Sequence, residues 1–191
     1  MKFIRVDMGA KTVSIEDKPR EYERLGGRRL TSTFVNAEVP PTCDPLGPEN
    51  KLIFAPGLLS GTPLVNTSRL SVGSKSPLTG GIKESNAGGT IGMTMGRREI
   101  AGLIVEGKPE AGELFILRVE SYDKVSLVPA DEYKGMRTYA LAEKLFETYG
   151  EDNSIMCIGP AGENLYKSAS IQSTDVDNRP CRCSGRGGLG A

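Results

Sequence analysis

Histidine is missing from all 191 residues, and so is tryptophan. Without an imidazole the chain can build no Cys–His zinc site, no Ser–His nucleophile and no histidine proton shuttle of its own. An excess of one charge is missing too. Lys plus Arg and Asp plus Glu each come to 24, so no global field draws in nucleic acid or an anionic membrane. No apolar run approaches the roughly 18 residues of a membrane span. The start, Met1-Lys2-Phe3-Ile4-Arg5-Val6-Asp7, lacks an apolar signal core, which reads as a cytoplasmic protein. Cysteine is scarce, standing only at 43, 157, 181 and 183 with no C-x-x-C pair. Reduced thiols are expected there rather than a disulfide framework. The carboxylates are scattered, and no pair has the spacing of a general acid and base.

What is present in quantity is glycine, and the densest informative stretch runs from Arg69 to Gly89 as R-L-S-V-G-S-K-S-P-L-T-G-G-I-K-E-S-N-A-G-G. It begins with strand-like alternation at Leu70 and Val72, then loses large side chains. Too poor in them to build a core, it is expected to let backbone N–H groups approach an anionic, hydrogen-bond-rich guest. Arg69 and Lys75 would bring charge; Ser74, Ser76, Thr79, Ser85 and Asn86 would bring donors and acceptors. The plainer alternative is a pair of surface hairpin turns.

The pattern along the chain predicts an α+β, β-rich single domain with an internal pseudo-repeat of about 1–110 and 111–191. Phe3–Asp7 and Thr12–Glu16 alternate around a short turn and read as a hairpin. Residues 21–38 have partial helical spacing, interrupted by Gly26-Gly27 and ended by Pro40-Pro41. Lys51–Ala55 is a short apolar strand, Met93 and Met95 sit in a short helix, and Leu103–Glu106 is a strand. The second half repeats this order: strands over 115–119 and 124–127, a helix in the later part of 131–149, a strand before Pro160, and a second glycine–arginine run at 182–190. Such a duplication predicts two sheets related by an approximate two-fold, each half presenting a glycine loop to one two-fold guest. Gly185-Arg186-Gly187-Gly188-Leu189-Gly190 spells G-x-G-x-x-G, but no apolar strand precedes it and no helix follows, so a dinucleotide site is not expected. Ending inside such a run reads as a fragment or split subunit.

Four strings in this order resemble the N-terminal part of the aldehyde ferredoxin oxidoreductase family of tungsten and molybdenum enzymes. They are Asp44-Pro45-Leu46 with Pro48 to Leu52, Ser74 to Gly80 (S-K-S-P-L-T-G), Ile158 to Leu165 (I-G-P-A-G-E-N-L) and Gly185 to Ala191 (G-R-G-G-L-G-A). Val105-Glu106-Gly107-Lys108 is a fifth, shorter match.

The resemblance implies a β-rich floor on which a tungsto- or molybdo-bis-pterin cofactor sits, one pterin to each half. By position, Arg69, Asn86 and Gly88 match the first pterin-contacting segment, and Arg182, Cys183, Gly185 and Arg186 the second. The backbone carbonyls of Asn86 and Cys183 would be contacts to a magnesium ion bridging the pterin phosphates. None of these residues would be catalytic. The family's 4Fe-4S cysteines and catalytic acids lie downstream of this chain. Implied with them are the remainder of the enzyme, ferredoxin as electron acceptor, a small aldehyde as substrate and a possible homodimer, with no nucleic-acid or membrane partner. The competing expectation is a non-catalytic scaffold or assembly subunit that keeps the fold.

Overall fold

The computed structural model describes residues 1–191. The first half forms one six-stranded sheet from β1 (Lys2–Asp7), β2 (Thr12–Asp17), β3 (Lys51–Pro56), β4 (Leu70–Lys75), β5 (Ile82–Ala87) and β6 (Ile100–Glu106), in the order β2-β1-β6-β3-β4-β5. β1 and β6 run parallel, and every other neighbouring pair is antiparallel. Strand period two sends alternate side chains to opposite faces. Phe3 and Arg5 of β1 therefore face one way, and the buried Ile4 and Val6 the other.

Both faces are covered. On the first lies α1 (Gly27–Glu38), whose Leu30, Phe34 and Val35 pack with Phe3, Tyr22, Ile53 and Ile104. Phe3, Tyr22 and Phe34 meet edge-on or tilted, with ring centroids 5.6–6.1 Å apart. The break expected at Gly26-Gly27 is the start of α1. Gly26 is its extended N-cap, and residues 20–22 before it form a separate 3-10 turn. Arg5 anchors the far end of α1, donating to both Glu38 oxygens (2.7 and 3.0 Å) and reaching Glu16 and Glu106, while its guanidinium lies 5.0 Å from the Phe34 ring centre.

The second face receives the second half of the chain, where Ile171 and Leu189 are buried against Ile4, Val6, Phe54, Leu70 and Val72. This half opens, like the first, with a hairpin, β7 (Phe115–Ser121) and β8 (Lys124–Pro129). A 3-10 turn and a twelve-residue helix, α3 (Thr138–Tyr149), follow. The strands beyond are short: β9 (Met156–Cys157), β10 (Ile171–Ser173) and β11 (Arg182–Ser184) make a sheet of their own, separate from the β7–β8 pair. One turn of helix, α4 (Pro160–Glu163), lies between β9 and β10, with Pro160 at its first position. The remaining helix, α2 (Ile91–Arg97), is tied to β6 by a turn in which Glu99 has φ +58. The strand read from Leu103 begins earlier, at Ile100.

Cys157, half-buried in β9, has its thiol pushed up to about 11 by burial. At pH 8 iodoacetamide should therefore alkylate it about a hundredfold more slowly in the native protein than in the unfolded chain. Peptide mapping after timed alkylation reads this; equal rates would contradict the burial.

Candidate functional site

The stretch from Arg69 to Gly89 is a buried hairpin more than an open loop. β4 is buried along its whole length, and Ser76–Gly81 form the turn to β5. The lack of large side chains has a packing reason: α1 crosses β4 so closely that a Cβ on Gly73 would lie 2.4 Å from the Thr31 Cβ. Lys75 is thereby withdrawn from any ligand. It is 8 % exposed, and its ammonium donates to the carbonyls of Pro41 and Cys43, both at 2.6 Å. Ser74 and Ser76 are spent internally too, on Asn50 (3.2 Å) and the Gly187 carbonyl (2.5 Å).

Arg69 and Asn86 remain at the surface and meet because Ser71 pairs with Asn86 and Leu70 with Ala87 across the β4–β5 ladder. The Arg69 guanidinium donates to the Asn86 side-chain oxygen and, at 3.3 Å, to its backbone carbonyl. The Asn86 amide nitrogen donates to Ser71 Oγ (3.1 Å), which donates to Glu84 (2.7 Å), and Glu84 in turn accepts from Arg28 (3.2 Å). This chain of donors fixes which end of the Asn86 amide faces Arg69.

Beyond β5 come two glycines with different surroundings. A Cβ on Gly88 would meet nothing nearer than Arg69 Nη1 at 4.0 Å, so this position borders open space. Gly89 has φ +112, and a Cβ there would lie 2.6 Å from the Thr174 carbonyl oxygen and 3.5 Å from Arg182 Cγ. The first arginine thus flanks one glycine and the second arginine the next. Thr90 N–H donates to the Thr174 carbonyl (3.0 Å), stitching the first glycine segment to the end of β10.

Arg182 opens β11, with Nη2 3.8 Å from Asp175 Oδ2. Asp175 is almost wholly enclosed. The Cys181 thiol foremost, then the Arg179 and Asp177 backbone N–H groups and the Arg179 guanidinium, donate to it and hold its carboxyl far below the ordinary 3.8. A depressed carboxyl contributes stability above its unfolded value and loses it as pH falls through the folded one. Urea titrations of wild type should therefore show stability dropping below about pH 4 more steeply than Asp175→Asn does; parallel curves would remove this role.

Of the other expected residues, Cys183 is in register with Gln172, and its exposed thiol donates to the Gln172 side-chain oxygen at 2.9 Å. Gly185 N–H donates to Ser85 Oγ (3.1 Å), placing it against β5. Glycine is required here, since a Cβ would sit 2.2 Å from Ser170 Cα. Arg186 is exposed. Between Cys183 and Gly185, the fully buried Ser184 hydroxyl has no hydrogen-bond partner, an uncommon state for a buried polar group. Arg69, Asn86, Gly88 and Arg182 are therefore gathered around Gly88–Gly89, Gly185 lies one β5 residue away, and Cys183 and Arg186 are on the exposed side of the second segment.

On the α1 side of Arg69 and Asn86 lies a cleft of about 610 Å³ with no apolar residue in its wall. Arg28 and Arg29 border it, from a helix start that the hydrophobic pattern marks only as an interruption. Two arginines in a first helical turn that contains no acid are the signal in the sequence that points to it.

The family described as aldehyde ferredoxin oxidoreductase, N-terminal domain, matches residues 3–191. Tungsten-containing aldehyde ferredoxin oxidoreductases of Pyrococcus furiosus and Thermococcus kodakarensis are 38% and 35% identical, each over 100% of this chain and 31% of the relative. The chain thus spans about a third of the length of these relatives. A solved structure, the active site complex BamBC of benzoyl coenzyme A reductase in complex with 1,5-dienoyl-CoA, matches 99% of this chain and 28% of its own with TM-score 0.88 and 32% identity. A match from residue 3 to residue 191, carried through both glycine–arginine segments, leaves one conclusion: the chain belongs to the aldehyde ferredoxin oxidoreductase family and corresponds to its N-terminal domain.

Proposed function

We propose that this domain cradles a bis-pterin cofactor, with tungsten as the favoured metal, in an oxidoreductase that oxidises aldehydes to carboxylic acids. The observation that carries the reading is the convergence of Arg69 and Arg182 on Gly88–Gly89 from the two halves of the chain. The donor set suits such a group. Guanidinium groups pair with anionic sulfur and phosphate, bare glycine amides admit a close approach, and the unpartnered Ser184 hydroxyl has a bond to give. The tungsten-containing relatives support the metal.

Arg69 and Asn86 would hold one pterin beside Gly88; Arg182, Gly185 and Arg186 would hold the other. The Asn86 and Cys183 carbonyls would supply hard oxygen ligands to a magnesium ion between the phosphate tails. Bound there, the group would supply the two-electron redox chemistry, and this domain orientation and electrostatics. The 4Fe-4S cluster, the catalytic acids and the ferredoxin and aldehyde sites would belong to the remainder of the enzyme, with a homodimer as its assembly. In the absence of that remainder the domain should be inactive.

A second reading of the substrate has one observation in its favour: the solved neighbour, 32% identical, was complexed with a dienoyl-CoA. A coenzyme A thioester would then replace the aldehyde on the same cofactor floor. The class that competes with both is a non-catalytic scaffold retaining the fold. Purified full-length protein should hold about one tungsten and two pterins per chain by mass spectrometry, and oxidise aldehydes with ferredoxin as acceptor. A folded preparation with neither metal nor pterin would favour the scaffold.

A further inference from the structure

Leu78, Ile82, Leu165 and Tyr166 are large apolar residues left 45–62 % exposed, on two loops that meet at one place. Leu78 and Ile82 flank the tip of the β4–β5 turn; Leu165 and Tyr166 stand in the segment that leaves α4. Between the loops runs Gly187-Gly188. A Cβ on Gly188 would lie 2.1 Å from the Lys167 carbonyl oxygen and 2.9 Å from Pro77 Cγ, and the Ser76 hydroxyl donates to the Gly187 carbonyl at 2.5 Å. Single exposed apolar residues are ordinary on a protein surface. Four of them, gathered from both halves of the chain around one buried glycine run, mark a surface that something covers.

The backbone and the charges agree with this. Leu165 follows the C-cap of α4 and has φ +55, a left-handed position that glycine or asparagine takes readily and leucine rarely. An exposed leucine held there gains nothing from the domain's own core. Gly80 and Gly81, at the tip of the opposite loop, border open space on the side where a Cβ would stand. Residues 76–83, 164–168 and 185–191 contain Lys83, Lys167 and Arg186 and no Asp or Glu. Neither lysine takes part in an ion pair. The face is therefore apolar with an unmatched positive rim, and its complement is apolar and acidic.

The course of the chain indicates what supplies that complement. Gly190 N–H donates to the Ala169 carbonyl (3.1 Å) and Ala191 N–H to that of Gly188 (3.0 Å), so Ala191 is pinned at the edge of this same face. The tungsten-containing relatives are matched over 31% of their length, and the matching family region is N-terminal. In a protein of that length the polypeptide runs on from this spot.

We infer that the face formed by Leu78, Ile82, Leu165 and Tyr166 is the seat on which the downstream part of the same polypeptide docks, through a segment presenting apolar side chains beside Asp or Glu that meet Lys83 and Lys167. The inference rests on the reading of this chain as one domain of a longer enzyme; no cofactor enters it.

The test uses full-length protein carrying the photoreactive residue p-benzoylphenylalanine at position 78 or, separately, at position 166. Illumination should join each site to a peptide beyond residue 191 of the same chain, read by mass spectrometry of the digested monomer. Cross-links between two chains would make this face an interface between copies and overturn the inference, as would sites that reach no residue beyond 191. Hydrogen exchange is an independent readout. Peptides covering 77–82 and 164–168 should exchange at least about tenfold faster in Leu78→Asp/Tyr166→Asp than in wild type, while those covering 3–6 and 30–35 keep the wild-type rate. Equal rates in the two loops overturn it. Metal and pterin are measured on the same preparations. Wild type that holds both yet gives no cross-link beyond 191 leaves the cofactor reading standing and removes this one. Wild type that never holds metal yet cross-links as expected does the reverse.

Discussion

Gly73→Ala should destabilise the domain by about 2–3 kcal/mol, the upper range for forcing one extra carbon into a packed core. The added Cβ would lie 2.4 Å from the Thr31 Cβ and 2.7 Å from its Oγ1, and Thr31 is completely buried. The clash is between a helix and a strand, so no rotamer change relieves it. α1 would have to lift from β4, taking with it Arg28 and Arg29 and one wall of the polar cleft. Urea denaturation checks the magnitude. A double-mutant cycle checks the cause: in a Thr31→Gly background the same substitution should cost at least about 1 kcal/mol less. A cost below about 0.5 kcal/mol in the wild-type background would mean that helix and strand are not in this register.

The second large effect is on cofactor retention. Arg69→Gln and Arg182→Gln each remove the guanidinium of a side chain that flanks the Gly88–Gly89 pair, Arg69 by its Nη1 and Arg182 by its Cγ. If the two pterins lie there, each substitution deletes a charge-assisted hydrogen bond and should lower retained tungsten and pterin about tenfold or more. Both arginines are exposed, so stability should change by less than about 0.5 kcal/mol. Arg69→Gln has an additional expected consequence, because it frees the Asn86 side-chain oxygen and carbonyl that the arginine now engages. Asn86→Ala should then resemble Arg69→Gln in metal content, whereas Lys75→Met should act on stability, since that ammonium is committed to Pro41 and Cys43. Losses confined to one half of the chain would argue against a shared guest.

How much of this is legible in the sequence differs by element. The hairpins, α1, α3 and the strands at 51–55 and 103–106 can be read because their hydrophobic periods are long enough, while the start of β6 at Ile100 is not read. The arginine, asparagine and glycine positions at 69, 86, 88, 182 and 185 are reached through family-like strings rather than through chemistry alone. Lys75 misleads: lysine is rarely buried, and nothing local reveals that two carbonyls more than thirty residues upstream will solvate it. The glycine of β4 and the hydroxyls around it mislead similarly, since Gly73 is set by the distant Thr31 and Ser76 by Gly187. β10 goes unseen because three residues carry no measurable period. That Arg28 and Arg29 line a polar cleft is hidden for another reason, since only the crossing of α1 over the sheet creates that cleft.

A guest held by both halves of the chain would lie on the open side of Gly88, and one substitution addresses it. Gly88→Ala has room inside the protein itself, the nearest atom being Arg69 Nη1 at 4.0 Å, whereas Gly89→Ala collides with the Thr174 carbonyl at 2.6 Å and would have to hold φ at +112. Tungsten and pterin per chain, measured by mass spectrometry on full-length Gly88→Ala alongside its melting temperature, separates ligand from packing. The expected result is a melting temperature within about two degrees of wild type and metal and pterin reduced about tenfold. A Gly88→Ala protein that melts normally and keeps its full complement of both would contradict it.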